Sequence, residues 1–218
     1  AGAGRRRHRL GRLTVSAPMP DSATRVIAIR HGETAWNAQL RLQGQIDIEL
    51  NDTGRRQALR LADALADTEI AALYASDLRR ATQTAQPIAA RCGVALDTDA
   101  GLRERNFGIF EGQRWVDLEG RWPEQARRWR ERNGEFAPDG GETLTDFYAR
   151  CVDSATRLAM RHPGETIAFV AHGGVLDCLY RAAARIPLQA QRTWQLGNAS
   201  INRLLFNGET FTLVGWGD

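Results

Sequence analysis

The stretch Val26-Ile27-Ala28-Ile29-Arg30-His31-Gly32-Glu33-Thr34 is an apolar run that delivers an arginine and a histidine to a glycine. Such a run reads as a buried strand whose last polar side chains lie at a sheet edge, where open α/β folds bind ligands. A second arrangement of this kind lies far downstream, where Ile167-Ala168-Phe169-Val170-Ala171 runs into His172-Gly173-Gly174 and a helical pattern. If the two strands are parallel neighbours, His31 and His172 meet at one crevice.

Beyond the first strand, residues 35–50 lack helical periodicity and contain Gln43-Gly44, which predicts a loop across the mouth of the crevice. Asn51 or Asp52 can cap a helix with Ala58, Leu61, Ala62 and Leu65 on its apolar face. Residues 71–75 read as a short strand ending at Ser76-Asp77, the start of a helix that carries Arg79, Arg80, Ala81, Ala85 and Ala89 and that Pro87 is expected to kink or shorten. A weak strand over Val94 to Leu96 precedes a stretch of loop character, residues 102–112. Trp115, Trp122 and Trp129 then recur every seven residues among arginines. This reads either as a lid helix handling an anionic substrate or as a helix that packs its tryptophans and leaves its arginines solvated.

Pro138-Asp139-Gly140-Gly141 forms a turn before a long helix whose apolar face is Leu144, Phe147, Cys151, Ala155 and Leu158. After the second central strand comes a helix over Val175, Leu176, Leu179 and Ala183. Residues 202–206 and 210–214 alternate around Asn207-Gly208, a hairpin signal.

With 218 residues and 43% hydrophobic content, the chain can bury the core of one domain. The net charge of +3 misleads, because residues 1–20 hold Arg5, Arg6, Arg7, Arg9 and Arg12 and no acid; without those five the chain stands at −2. The reading is therefore a basic, disordered extension over residues 1–24, or an upstream start with Met19 as the true one, followed by a domain over residues 25–218. The extension has no signal-peptide core, and no later run is long enough to span a membrane. Partners among nucleic acids or membranes are not expected, and oligomeric state is left undetermined. Cys92, Cys151 and Cys178 show no metal or CxxC spacing, and the latter two read as small core residues in a reducing, cytoplasmic setting. The absence of lysine is taken as codon bias.

A neutral histidine can attack phosphorus when the phosphoryl charge is offset. Arg30 and Arg80 can supply that offset through guanidinium forks, and they lower the imidazole pKa so that His31 stays a free base. The Gly173 and Gly174 amides open a helix that can bind an anion. Proton transfer to the leaving alkoxide needs an acid, for which the loop carboxylate Glu104 is the candidate, and no metal or cofactor is required. Arg79 competes with Arg80 for the first of these roles, and Glu33 and Glu111 compete with Glu104 for the second.

Arg30-His31-Gly32-Glu33-Thr34 with Asn37, Gln43-Gly44, Ser76-Asp77-Leu78-Arg79-Arg80-Ala81, Leu102-Arg103-Glu104, Gly140-Gly141-Glu142 and Ala171-His172-Gly173-Gly174 together resemble the histidine phosphatase superfamily, in its phosphoglycerate mutase-like branch. The resemblance covers roughly residues 25–217. It implies a three-layer α/β/α sandwich with a mostly parallel sheet, a phosphohistidine at His31, phosphoryl binding by Arg30, Arg80 and His172, acid and base work by Glu104, and contacts to the phosphoryl or ester side from Asn37, Gln43 and Gly44. Glycolytic mutases of the family carry a long insertion where this chain has only residues 113–139. The expected activity is therefore a metal-independent phosphatase of a small phosphorylated metabolite, with a cofactor-dependent phosphoglycerate mutase as the alternative. A non-enzymatic phosphate-binding module is a further reading, one that predicts loss of at least one of the five central residues, and all five are present.

Overall fold

The computed structural model describes residues 22–217, and the arginine-rich tail lies outside them. One sheet is built from β1 (Thr24–Arg30), β2 (Ala72–Ala75), β3 (Leu96–Thr98), β4 (Thr166–Ala171), β5 (Ile201–Phe206) and β6 (Phe211–Gly215). The helices are α1 (Ala35–Ala38), α2 (Asp52–Ala64), α3 (Arg79–Cys92), α4 (Trp115–Arg121), α5 (Pro123–Arg130), α6 (Leu144–Ala159) and α7 (Gly173–Ala184). The strand order is β3-β2-β4-β1-β5-β6. The first four strands run parallel, and β5 and β6 complete the sheet antiparallel.

Side chains alternate across a strand, so β1 serves two cores. Ile27 and Ile29 pack with Leu61, Ala81 and Ile88 from α2 and α3. Val26 and Ala28 face the other side, with Phe147, Cys151 and Leu176 from α6 and α7. Helices on both faces give the expected three layers. Each fully buried aliphatic side chain contributes about 1.5–3 kcal/mol, and because the sheet centre is covered on both faces β4 is buried along nearly its whole length. The parallel register sets Arg30 beside Ala171, so the two strands end level and release His31 and His172 at the same edge.

Several local expectations shift. Residues 35–50 are not wholly loop, because Thr34 and Asn37 form a reciprocal capping box around the single turn α1. The third strand lies at Leu96–Thr98, two residues later than its pattern suggested. α3 begins at Arg79 because Asp77 is held by a bidentate pair to Arg103 and does not cap it. The helix then runs on through Pro87 to Cys92, held by the buried Ala81, Ala85 and Ile88. The sheet takes in Thr24, whose hydroxyl donates to the carbonyls of Ala159 and His162.

The tryptophan repeat is two short helices, because Pro123 starts a new one directly after Trp122. Trp122 and Trp129 pack on Phe110, Leu118, Ala126 and Phe136, as the packing alternative required. Trp115 remains 43% exposed. All three cysteines are free, with Cys151 and Cys178 buried. Among the described residues no helix is long and apolar enough to cross a membrane.

Candidate active site

A cavity of about 620 Å³ opens at the carboxyl ends of β1 and β4. His31, Arg30, Asn37, Gln43, Gly44, Arg80, Glu104 and Gly173 all line it, and His172 lies directly behind, its ring centroid 5.2 Å from that of His31. The sequence candidates are thus brought to one place.

Two hydrogen bonds fix the protons of the paired imidazoles. His31 Nδ1 lies 2.7 Å from the carbonyl of Gly32, and since a carbonyl only accepts, the proton of a neutral ring sits on Nδ1 and the lone pair on Nε2. His172 is the reverse. Arg80 Nε donates to its Nδ1 at 3.2 Å, so the proton of neutral His172 sits on Nε2, which has no protein partner. Both rings are held well below the usual histidine pKa, first by burial and then by nearby cations, of which Arg80 is the strongest. Protonation would add a third charge beside two guanidinium groups. The site therefore holds one bare imidazole nitrogen and one imidazole N–H donor at neutral pH.

Arg80 is fully buried. Its two Nη atoms donate to the carbonyls of Ile46 and Gly44, which ties the 43–50 segment to the start of α3. Burial lowers its pKa to about 10, with Glu104 the largest opposing influence, so it stays charged. Arg79, its competitor, is exposed and paired with Glu49. Arg30 donates to the carbonyl of Leu196, while its Nε is buried without a protein partner. Gly44 takes φ +55°, and a Cβ there would lie 2.0 Å from Glu111 Oε1, so the loop passes at a distance only glycine permits.

Glu104 accepts from the Arg105 amide at 2.9 Å and from the Gly174 amide at 3.0 Å. The second bond changes one expectation: the Gly174 amide at the start of α7 orients this carboxylate and is not free for a ligand anion, which leaves Gly173 against Arg30 on the cavity wall. A Cβ on Gly174 would lie 2.1 Å from Glu104 Oε1, so the approach requires glycine. Glu33 and Glu111 are occupied otherwise, the first by Asn51 and the second by the amides of Gln45 and Phe107. Asn37 uses its Oδ1 on Thr34 and Asn198, which leaves its amide protons for an acceptor in the cavity. Gln43 is buried, its Oε1 without a protein partner.

Other residues of the site carried no sequence signal. Asn198 donates to the carbonyls of His31 and Gly32 and to Asn37, locking the strand end. Arg105, Arg132, Asp177, Gln191 and Arg192 line the outer cavity. Among the described residues no group of three or more His, Cys, Asp or Glu side chains could hold a metal ion.

Comparison with known proteins agrees with this geometry. Residues 26–218 match the model of the histidine phosphatase superfamily (branch 1). The chain is 41% identical over 197 residues to phosphoglycerate mutase-like protein 4 of Arabidopsis thaliana, covering 88% of this chain and 84% of the relative. It is 36% identical over 198 residues to a metal-independent phosphoserine phosphatase of the same plant, covering 89% and 82%. A solved mycobacterial glucosyl-3-phosphoglycerate phosphatase superposes with a TM-score of 0.78 at 32% identity, over 88% of this chain and 98% of that one.

Proposed function

Because the chain belongs to the histidine phosphatase superfamily, we propose that it is a phosphomonoesterase that hydrolyses a small phosphorylated metabolite without a metal, through a phosphohistidine at His31. The observation that carries this reading is the pair of opposite tautomers, with an unprotonated Nε2 on His31 and an N–H on His172 in a pocket walled by Arg30 and Arg80. Relatives named as phosphatases support the hydrolytic direction.

The phosphoryl oxygens bind to Arg30, Arg80 and the His172 Nε2 proton, with the amide groups of Asn37 and Gln43 at the ester side. His31 Nε2 then attacks phosphorus and the bond from phosphorus to the substrate oxygen breaks. Glu104 in its protonated form gives that proton to the leaving alkoxide. The Nδ1 bond to the Gly32 carbonyl holds the ring in line and supports the positive charge it gains. In the second half, Glu104 takes a proton from water, the hydroxide attacks phosphorus, and the phosphorus–nitrogen bond breaks to release phosphate and restore His31. Guanidinium groups supply the positive charge that a metal provides elsewhere.

Residues 25–218 are proposed as the phosphatase domain, with the basic tail as an appendage dispensable for hydrolysis. The free thiols support a reducing, cytoplasmic setting.

The test is a panel of phosphorylated sugars, glycerates, amino acids and nucleotides, assayed for inorganic phosphate with and without chelator. Release that chelator does not diminish, with an acid-labile phosphoenzyme trapped on quenching, is the expected result. The mutase reading draws on the names of several relatives, among them phosphoglycerate mutase-like protein 4 and probable phosphoglycerate mutases of Yersinia. It predicts instead that 3-phosphoglycerate with bisphosphoglycerate yields 2-phosphoglycerate and no phosphate.

A further inference from the structure

Two amides hold the Glu104 carboxylate, that of its loop neighbour Arg105 and that of Gly174 at the start of α7, so the acid is only as well placed as the gap between that loop and α7. The loop side of the gap is set by Arg150, which stands on α6. Its Nη1 donates to the carbonyls of Gly101 at 2.9 Å and Arg103 at 3.0 Å, and its Nη2 reaches the carbonyl of Glu104 itself at 3.4 Å. The α7 side is met by Phe147, three residues earlier on the same face of the helix. A Cβ on Gly174 would lie 2.9 Å from its ring, and the Arg150 guanidinium lies over that ring at 5.2 Å. One turn of α6 thus touches both walls between which Glu104 is held.

The other half of the Arg150 fork is taken by Glu142, which accepts from Nε at 2.9 Å and from Nη2 at 2.8 Å. Glu142 in turn accepts from the Asn106 amide, two residues beyond Glu104, at 3.3 Å, and its own carbonyl accepts from Arg105 Nε at 2.9 Å. The two side chains are only 26% and 18% exposed, so this bidentate pair holds its geometry better than one in open water. The Glu142 carboxylate also compensates the Arg150 charge. Arg150 does not line the cavity, and of the three arginines that lower the His172 pKa after burial it acts least. Unlike Arg30 and Arg80, it supplies position to the site and little field.

We propose that Arg150 is a positioning residue for the acid and base Glu104. With Glu142 it fixes the loop against α7 so that the carboxylate reaches the leaving oxygen, and it takes no part in binding the phosphoryl group. Proton transfer demands hydrogen-bond distance between acid and leaving oxygen, and a displacement of about 1 Å can cost roughly 10²-fold in rate. Without Arg150 the carbonyls of Gly101, Arg103 and Glu104 lose a shared donor, and Gln45, which donates to the Glu104 carbonyl at 3.2 Å, holds the loop from the opposite side alone. The inference rests on the phosphatase reading and adds a residue to its proton path.

The experiment measures kcat and KM for p-nitrophenyl phosphate and for the alkyl phosphate hydrolysed fastest in the panel, in the wild type, Arg150→Met, Glu104→Gln and the double variant. Arg150→Met is expected to lower kcat for the alkyl phosphate by roughly 10- to 100-fold but for p-nitrophenyl phosphate by less than about threefold, since that leaving group needs little protonation. KM for both, and inhibition by inorganic phosphate, should stay within about twofold. In the Glu104→Gln background the same substitution should cost the alkyl phosphate less than about threefold, because no acid is left to position. Equal losses on the two substrates, weaker inhibition by phosphate, or losses that multiply in the double variant overturn the proposal. Arg150→Lys keeps a charge opposite Glu142, but one ammonium cannot span that carboxylate and three carbonyls, so it should show the same selective loss to a smaller degree. It carries the test if Arg150→Met does not fold, and an unselective loss or none at all overturns the proposal there as well. A wild type that hydrolyses neither compound would instead defeat the phosphatase reading.

Discussion

At the inner end of the cavity Arg80 is fully buried and its donors meet two carbonyls and a neutral imidazole, whereas on α5, outside the cavity lining, Arg127 lies in solvent between Glu124 and Glu131. Both residues stand in arginine-rich stretches near the start or end of a helix. Their electrostatic roles are opposite. Neutral acceptors hold the Arg80 guanidinium in position and leave its charge acting on the cavity, while two carboxylates cancel that of Arg127 locally. What prepares a site for phosphate is thus not the number of arginines but the charge their partners leave uncompensated in a region of low dielectric.

The contrast can be broken most severely at the centre of the inner end. His31→Ala removes the only bare nitrogen, and turnover of every substrate is expected to fall by roughly three orders of magnitude or more, with no phosphoenzyme trapped on acid quench. Glu104→Gln tests the proton path. Alkyl phosphates should slow by about 10²- to 10⁴-fold, but p-nitrophenyl phosphate by less than about tenfold, since its leaving group needs little protonation. Equal losses would remove Glu104 from the role of acid.

A direct comparison of the two arginines comes next. Arg80→Gln should lower kcat/KM by roughly 10²- to 10³-fold, as expected for the loss of a preorganised charge. Arg127→Gln should leave both kcat/KM and the melting temperature unchanged within error, because an exposed ion pair in water contributes little. Comparable effects in the two variants would contradict the distinction drawn here.

The smallest effect is in the pH profile. An ordinary histidine is half protonated near pH 6.5, which would halve the rate there; with the His31 pKa held well below that value, kcat/KM limited by His31 should be undiminished at pH 6.5. The same shifts bear on stability. His31 and His172 are neutral in the folded chain but take up protons near pH 6.5 when unfolded, so the unfolded state binds more protons and stability falls as pH drops below about 6.5. Urea midpoints measured at pH 7.5 and 5.5 should show the decline.

Much of this was legible in the chain. Apolar runs that end in Arg30-His31-Gly32 and His172-Gly173-Gly174 determine buried strands with reactive ends, because hydrophobic period and glycine punctuation are local properties. The same is true of α2, capped by Asn51, and of the Asn207-Gly208 hairpin. The Trp115 to Trp129 repeat misled about continuity, since Pro123 starts a second helix.

The sequence by itself thus determined most of the strand pattern and the two histidine-glycine strand ends, through residue types that act within a few positions of one another, while the preference for Arg80 and Glu104 came from the family resemblance. Only the tertiary structure decided which imidazole nitrogen carries the proton, that the Gly174 amide belongs to Glu104, and that Asn198 and Arg192 reach the site at all. Those facts depend on contacts between residues as far apart as His31 and Asn198, and on burial, which sets the proton positions and the strength of each charge. No periodicity within a short window records either.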